Sequence, residues 1–354
     1  MQIDNPAGTD GFDFLEFTTN NPTSLIAQFE AMGFVPVAKH KTHDVIIYQQ
    51  NDIRFFINIT KNSLATQFAG LHGASVSAMG FRVKDAKYAH QHALAYGATP
   101  YQHITDTQVY DMPAIYGVGN SLIYFVDYKN TIPNYSHEFS TINSQPNKGH
   151  GLTYIDHVTH NLHRGNMEEW ADFYSRLFNF REVRYFDIEG KMTGLKSKAM
   201  ASPCGKIRIP LNESSDDKSQ IEEFLKDFNG EGIQHIALGT DNIFSSVEQL
   251  HNKKIKFLDT PDTYYELIEK RLPKHGEPLD QLKKNKILID GETKQMKKLL
   301  LQIFTEPMLG PVFFEIIQRK GDEGFGEGNF RALFESIELD QIRRGVLTVE
   351  EEKS

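Results

Sequence analysis

The sequence predicts an α+β protein made of two similarly organised halves. Segments rich in β-branched and aromatic residues alternate with helical segments, and the order strand, helix, strands occurs about four times, twice in each half. A polar segment from about Lys129 to Gly151, with Pro133 and Pro146, separates the two apolar-patterned regions. A chain of 354 residues suits two domains of ordinary size, and we place them at 1–148 and 149–354.

The elements of the two halves follow one layout. In the first half we predict helices over 25–32 and 84–96 and strands at 12–17, 45–49, 54–57, 79–83 and 121–128. In the second half we predict helices over 167–177 and 243–252 and strands at 155–159, 207–210, 233–238 and 312–317. Two insertions are expected there: a polar loop, Asn212–Ser219, and a longer segment, Thr263–Lys298, with a hairpin-type turn at Asp290-Gly291.

Composition excludes several classes of protein. The formal net charge of -9 disfavours nucleic-acid binding, which needs clustered Lys and Arg. Cys204 is the one cysteine, so no internal disulfide can form and a reducing compartment is expected. The N-terminal residues do not resemble a signal peptide, and no run approaches the roughly 18 apolar residues of a membrane span. We therefore expect a cytoplasmic protein.

Aligning the halves as an internal duplication places metal-capable side chains in the second half only. The aligned pairs are Phe14 with His157, Gly80 with His235, and Phe125 with Glu315. The second half would then do the chemistry while the first half serves as a scaffold.

The three second-half residues lie in apolar strand segments, where an unpaired polar side chain is costly to bury. Glu315 needs a metal, a cation or a proton, and each histidine alone could be an ordinary core residue. Two imidazoles and one carboxylate on three strands form the facial triad that suits Fe(II), although the same set also serves catalytic zinc. His160 points to the opposite face of its strand from His157 and is disfavoured as a ligand.

A glycine-rich acidic segment, 321–328, would repel a phosphate and is predicted to be a flexible joint. Asn329 could cap a helix that follows. Phe330, Leu333, Phe334 and Ile337 would share one face of that helix. It is either a terminal helix packed on the core or a gate over a pocket that Phe325 and Phe330 line.

The second half resembles the 4-hydroxyphenylpyruvate dioxygenase family of the vicinal oxygen chelate superfamily. The resemblance covers most of 150–342 and extends to the first half mainly by layout. The matching stretches are Ile155-Asp156-His157-Val158, Ile209-Pro210-Leu211-Asn212-Glu213, Gly232-Ile233-Gln234-His235-Ile236-Ala237, Leu301-Gln302-Ile303-Phe304-Thr305, Phe313-Phe314-Glu315-Ile316-Ile317-Gln318-Arg319 and Gly324-Phe325-Gly326-Glu327-Gly328-Asn329-Phe330.

This resemblance implies tandem βαβββ modules that form two open β-barrels, with a closing C-terminal helix. It implies one Fe(II) per subunit in the second barrel, held by His157, His235 and Glu315, and a first barrel without metal. Gln302, Asn212 and Gln220 would be catalytic. The implied substrate-binding residues are Ser197, Asn212, Gln220, Gln234, Gln302, Phe304, Phe313, Phe325, Asn329 and Phe330. Strict alternation would turn Gln234 away from the face of His235, so a strand irregularity is needed for both to serve one site.

The implied reaction converts 4-hydroxyphenylpyruvate and O₂ to homogentisate and CO₂ in tyrosine and phenylalanine catabolism. It combines oxidative decarboxylation, ring hydroxylation and side-chain migration, and the resemblance implies a homo-oligomer, a dimer or tetramer. Three alternatives stay open at this point. They are hydroxymandelate synthase, which hydroxylates the benzylic carbon of the same substrate; an extradiol dioxygenase, which takes a catechol; and a metal-free binding module of the same fold.

Overall fold

The structure is a computed structural model that describes residues 4–102, 107–127, 137–189, 194–294 and 297–333. It contains two eight-stranded sheets. The strands of the first sheet are β1 (Thr9–Thr18), β2 (Val35–His40), β3 (Val45–Gln50), β4 (Ile53–Asn58), β5 (Ser75–Val83), β6 (Ala114–Tyr116), β7 (Leu122–Asp127) and β8 (Phe139–Thr141). Those of the second are β9 (Leu152–Leu162), β10 (Arg181–Glu189), β11 (Gly194–Ala201), β12 (Arg208–Ser214), β13 (Gly232–Thr240), β14 (Leu288–Glu292), β15 (Lys298–Phe304) and β16 (Phe313–Lys320).

Helices connect and cover these strands. The first half contains α1 (Pro22–Ala31), α2 (Leu64–His72) and α3 (Ala86–Ala95). The second half contains α4 (Met167–Phe178), α5 (Gln220–Phe228), α6 (Ile243–Asn252), α7 (Asp262–Glu266), α8 (Ile268–Arg271) and α9 (Leu279–Lys284). In the described part of the chain, no helix is both long and apolar enough to cross a membrane.

The central strands of the two sheets have the same arrangement. The strand orders are β6-β7-β5-β1-β4-β3-β2-β8 and β10-β11-β12-β9-β13-β16-β15-β14. The middle pair of each sheet is antiparallel, β1 with β5 and β9 with β13. Each middle strand also has a parallel partner, which is β4, β7, β12 or β16. This is the tandem βαβββ arrangement, and the predicted fold class is confirmed.

Two details of the predicted insertions are wrong. Asn212 belongs to β12, since the strand continues through Ser214 before the loop begins. Asp290 and Gly291 lie inside β14, where they pair with residues of β15 and do not form the turn of a hairpin. Pairing with β15 keeps Asp290 and Gly291 in an extended conformation, and the dipeptide sequence alone does not predict this pairing.

The strand registers align the two halves residue by residue. Phe14 pairs with Gly80 between β1 and β5, and His157 pairs with Ala237 between β9 and β13. An irregularity in the pairing directly precedes both Phe14 and His157, so β1 and β9 can be aligned without an insertion or deletion. Phe14 is therefore the counterpart of His157, as predicted.

Two of the predicted correspondences are wrong. His235 lies two residues before Ala237, so its counterpart lies two residues before Gly80. Glu315 pairs with Ala237 between β13 and β16, so its counterpart is the β7 residue that pairs with Gly80, one position from Phe125. A slip of one residue turns a side chain to the other face of the sheet, and only the register settles it. The corrected pairs are Phe14 with His157, Ala78 with His235, and Tyr124 with Glu315.

Aromatic side chains fill the interior of the first barrel at these positions. Phe14 is fully buried and stacks on Phe56 with ring centroids 4.2 Å apart. Tyr124 and Tyr110 also pack on the Phe14 ring, with ring centroids 5.9 Å and 6.5 Å from it. A Cβ at Gly80 would lie 2.4 Å from the Phe14 ring, closer than any packed contact allows. Packed aromatic rings therefore fill the first barrel at the positions where the second barrel has its polar side chains.

A helix of the described residues spans 327–333. Asn329 lies inside this helix and donates its backbone N–H to Gly326, so the prediction that Asn329 caps the helix is wrong. Phe334 and Ile337, which we placed on the same helical face, lie outside the described residues.

Candidate metal centre

The three predicted ligand side chains meet in the second barrel. One ligand atom each from His157, His235 and Glu315 lies within 4.8 Å of the others. Oε2 of Glu315 is 3.1 Å from Nε2 of His157 and 3.5 Å from Nε2 of His235. The side chains of His157 and Glu315 are 2% exposed and that of His235 is 13% exposed, so the cluster is largely buried.

The register of the three strands brings these side chains together. Ala237 on β13 pairs with His157 on one side and with Glu315 on the other, so all three lie in one row across the sheet. His235 lies two residues earlier on β13 and faces the same side. The small side chain of Ala237 leaves the space above it to the larger side chains of its neighbours.

Each histidine is preceded by a residue that interrupts the regular pairing between β9 and β13. Asp156 and Gln234 have no paired partner, and the register shifts at both places. The shift turns their side chains toward the following histidine. Nδ1 of His157 donates to Oδ1 of Asp156 at 2.8 Å, and Nδ1 of His235 donates to Oε1 of Gln234 at 2.8 Å.

These two hydrogen bonds leave Nε2 of both histidines facing the shared centre. A metal-binding histidine commonly donates its other ring nitrogen to a carboxylate or carbonyl, which fixes its tautomer and orientation. The strand irregularity expected for Gln234 is thus present, and it directs Gln234 onto His235. Thr159 adds a hydroxyl 3.0 Å from Nε2 of His235.

Asp156 is held in turn by two arginines. Arg319 donates Nε and a terminal nitrogen to the two carboxylate oxygens at 2.7 Å and 2.8 Å, and Arg208 lies 3.8 Å away. Burial opposes ionisation of Asp156, but the hydrogen bonds from Arg319 and His157 outweigh it and hold the pKa of this carboxyl well below its usual range. Asp156 is therefore the anionic partner of both Arg319 and His157.

The cluster requires a positive charge at its centre. Burial disfavours a charged imidazole, yet the charge of Glu315 and the hydrogen bond to Asp156 outweigh it and raise the pKa of His157. The same proton helps to lower the pKa of Glu315 against the effect of burial. Oε1 of Glu315 is buried without a hydrogen-bond partner among the described residues. A divalent cation in place of the proton would satisfy all of these groups, so the residues fit a metal.

Aromatic rings form one wall of this centre. Phe313 stacks on His235 with ring centroids 5.0 Å apart, and Phe304 meets the same imidazole at 6.2 Å. Phe325 lies edge-on to His157 at 5.3 Å. Such a wall excludes water and confines whatever binds between the rings.

The remaining predicted residues fall into two groups. Ser197 and Asn212 pair across β11 and β12, on the sheet face that also carries His157, and Asn212 donates to Asn161 at 3.4 Å. They lie farther along the barrel from the metal centre, so they form a second polar area.

Near the helix at 327–333, Gln302 and Asn329 contact each other. Nδ2 of Asn329 donates to Oε1 of Gln302 at 3.3 Å, and Tyr264 donates to Asn329 at 2.6 Å. Gln220 is exposed in the first turn of α5, and Phe330 is 40% exposed. The structure does not bring these last two side chains into contact with the metal centre.

Sequence reasoning missed Asp156, Arg319 and Arg208. A signal was available for Asp156, because an acidic residue next to a histidine in an apolar strand is costly unless both are paired. No local signal marks Arg319, which lies 163 residues from the carboxylate that it binds.

Comparisons with known proteins match both halves. The N-terminal domain family of hydroxyphenylpyruvate dioxygenase matches residues 3–140, and the glyoxalase, bleomycin resistance protein and dioxygenase superfamily matches residues 154–267. The chain is 56% identical to a 4-hydroxyphenylpyruvate dioxygenase of Legionella pneumophila (strain Corby), over 98% of this chain and 99% of that protein. It is 52% identical to one of Pseudomonas aeruginosa, over 97% of each.

Among solved structures, a variant of 4-hydroxymandelate synthase from Streptomyces coelicolor has the same fold. The TM-score is 0.78 at 24% sequence identity, over 94% of this chain and 99% of that one.

Proposed function

This chain belongs to the 4-hydroxyphenylpyruvate dioxygenase family, and we propose from this that His157, His235 and Glu315 hold the Fe(II) of that reaction, one per subunit. The enzyme converts 4-hydroxyphenylpyruvate and O₂ to homogentisate and CO₂. The observation that carries the metal assignment is the closed cluster of two imidazoles and one carboxylate, with its orphaned carboxylate oxygen.

The ligand set favours Fe(II) over other divalent metals. Two histidines and one carboxylate on one face leave open positions, which is the arrangement of non-haem iron oxygenases. A bound Fe(II) would supply the electron-transfer chemistry toward dioxygen and the open positions for a 2-oxo acid. The competing metal is zinc, which also accepts this ligand set in catalytic sites.

The protein supplies binding, orientation and exclusion of water. Phe304, Phe313 and Phe325 surround the metal centre, where a dry apolar wall protects a reactive oxidant from side reactions. Asp156 and Gln234 keep the Nδ1 protons of the two histidines in place, so that Nε2 is free to bind the metal.

We assign the phenol end of the substrate to the polar area at Ser197 and Asn212, together with Gln220 and Gln234. Amide and hydroxyl groups suit a neutral phenol, since they can both donate and accept a hydrogen bond. We assign Gln302 to the metal-proximal end of the substrate.

The aromatic residues Phe304, Phe313, Phe325 and Phe330 are assigned to the substrate ring, and Asn329 anchors the helix that lies beside it. Gln220 and Phe330 are exposed, so their participation requires a substrate that reaches the surface of the barrel or a shift of their segments on binding.

The experiment that tests this function is anaerobic loading with Fe(II), followed by 4-hydroxyphenylpyruvate and O₂ with identification of the product. Homogentisate is expected. 4-Hydroxymandelate would contradict the assigned product, and turnover of a catechol without a 2-oxo acid would indicate ring cleavage instead.

Glu315→Ala should abolish turnover, whereas Glu16→Gln is the matched control. Glu16 is a buried carboxylate of the first barrel, 2% exposed like Glu315, and lies outside the metal cluster. Full activity of Glu315→Ala would refute the ligand assignment. Metal analysis of the loaded enzyme distinguishes iron from zinc.

We further propose the division of labour expected from the sequence. Residues 1–148 form the barrel without metal and residues 149–354 form the catalytic barrel, with the boundary between β8 and β9. The cytoplasmic location and a homo-oligomer, dimer or tetramer, stay predictions that size-exclusion chromatography with light scattering and cell fractionation would test.

A further inference from the structure

The internal duplication extends to a buried ion pair. Asp13 directly precedes Phe14, as Asp156 precedes His157, and both acids occupy the shifted position of their strand. Asp13 is 2% exposed and Arg54 donates to both of its oxygens at 3.1 Å.

The partner arginines also match. Arg54 lies three residues before the β4 residue that pairs with Phe17, and Arg208 lies three residues before the β12 residue that pairs with His160. Phe17 and His160 are themselves counterparts, three residues after Phe14 and His157. The acid and its arginine are therefore at matching positions in the two halves, and in the described residues of the first half they do not adjoin a metal-capable cluster.

The second arginine at the acid differs between the halves. In the first half it is Arg82 of β5, whose Nε donates to Asp13 at 3.3 Å, and in the second half it is Arg319. This residue of β16 donates to both oxygens of Asp156, the carboxylate that holds the imidazole of His157. Arg208, the counterpart of Arg54, lies 3.8 Å from Asp156 and binds Glu323 at 2.6 Å. In the metal-binding half, both arginines thus connect the strand irregularity to the segment that follows β16.

Arg319 contacts that segment in three ways. Its Nη1 donates to the backbone carbonyls of Asp322 at 3.1 Å and Gly324 at 2.7 Å, and its guanidinium lies 5.7 Å from the ring centroid of Phe325. Phe325 in turn packs on the imidazole of His157. Arg319 therefore contacts His157 indirectly in two ways, through Asp156 and through Phe325.

We propose that Arg319 is a positioning residue that couples metal binding to the placement of segment 322–327. Through Asp156 it fixes the orientation of the His157 imidazole, and through the carbonyls of 322 and 324 it holds Phe325 against that imidazole. Metal bound to His157 stabilises the same orientation, so metal occupancy and the placement of Phe325 against His157 favour each other. This inference rests on the proposed metal assignment.

The test uses cobalt(II) as a stable probe of the metal site, with three variants of the full chain. Arg319→Gln removes the charge, Arg319→Lys retains it with fewer donors, and Arg54→Gln is the matched control in the metal-free half. Cobalt affinity is measured by the visible absorption of the bound ion. Placement of 322–327 is measured as the rate of chymotryptic cleavage after Phe325, by mass spectrometry, with and without saturating cobalt.

For the unmodified protein we expect cobalt to slow cleavage after Phe325. Arg319→Gln should bind cobalt about 10–100-fold more weakly, the usual cost of losing an outer partner of a ligand, and saturating cobalt should no longer slow cleavage. Arg319→Lys should fall between the two. Arg54→Gln should melt at a lower temperature yet keep its cobalt affinity within about twofold and keep the protection of Phe325.

Wild-type affinity and protection in Arg319→Gln would overturn the inference, as would an equal loss of affinity in Arg54→Gln. If Arg319→Gln does not fold, Arg319→Lys decides by the same two readouts. Failure of the unmodified protein to bind cobalt or iron at all is a different result, because it overturns the metal assignment itself and the coupling falls with it.

Discussion

Replacing Glu315 by glutamine removes the negative charge of the metal centre while keeping the size of the side chain. Two separate effects on stability follow from its surroundings. In the metal-free protein, Glu315 is paired with the imidazole of His157, and this pairing outweighs burial and lowers the pKa of Glu315, so a neutral amide should lower the melting temperature. In the presence of metal, the variant lacks the anionic ligand and should lose most of the stabilisation that metal provides.

The size of the metal effect can be estimated from mass action. Metal at about 100 times its Kd stabilises the folded protein by about 2.7 kcal/mol. An unfolding entropy of about 2.1 cal/mol/K per residue, over 354 residues, gives about 0.7 kcal/mol/K for the chain. The wild-type melting temperature should therefore rise by about 4 °C. If Glu315→Gln weakens binding about 100-fold, the same metal concentration should raise it by only about 0.6 °C.

The assay is thermal unfolding of the wild type and the variant, each without metal and with the same metal concentration. Glu16→Gln serves as the matched control, since it neutralises an equally buried carboxylate in the first barrel and should keep the full metal-induced shift. A metal-induced shift of about 4 °C in Glu315→Gln would refute the reasoning, because Glu315 would then not be a ligand. An unchanged melting temperature of the metal-free variant would show that the pairing of Glu315 with His157 does not stabilise the fold.

Three further predictions follow from single contacts. Burial raises the pKa of the Glu16 carboxyl, so folding favours its protonated form. The stability of the wild type relative to Glu16→Gln should therefore fall as the pH rises above about 4.3, the unperturbed value, and become constant above the raised pKa. A constant difference in melting temperature between the two proteins across this pH range would contradict the prediction. Gly80→Ala should destabilise the protein by about 1–3 kcal/mol, because its Cβ meets the Phe14 ring, and combining it with Phe14→Leu should cost less than the two changes added, as denaturant unfolding would measure. Gly326→Ala should lower kcat/KM at least about 10-fold, because φ there is +76° and a Cβ would collide with Oε1 of Gln302; unchanged steady-state kinetics would show that the turn before the helix does not matter to the site.

Local patterns were sufficient to predict the three side chains that meet in the second barrel, and most of the elements. An unpaired Glu315 in the run from Pro311 to Ile317 is costly wherever the strand lies, so its need for a cation could be inferred before any partner was known. Alternation and helical periodicity gave the strands around His157, His235 and Glu315 and the helices that follow them. The strands β6, β10 and β14 were missed although each pairs with the next strand along the chain, because their residues have little local pattern of their own.

The details that depend on register were decided by tertiary structure alone. Periodicity states which residues share a face, but a single unpaired residue such as Asp156 or Gln234 reverses the alternation, and only pairing with the neighbouring strand fixes where that happens. The counterpart of Glu315 was misplaced by one residue because the registers of β16 against β13 and of β7 against β5 cannot be read from a single strand. Arg319 could not be found for the same reason, since its role arises from a contact across 163 residues. The sequence by itself determined which side chains could bind a metal, because burial cost is a local property. Their orientation, and what holds it, depends on which strands lie side by side.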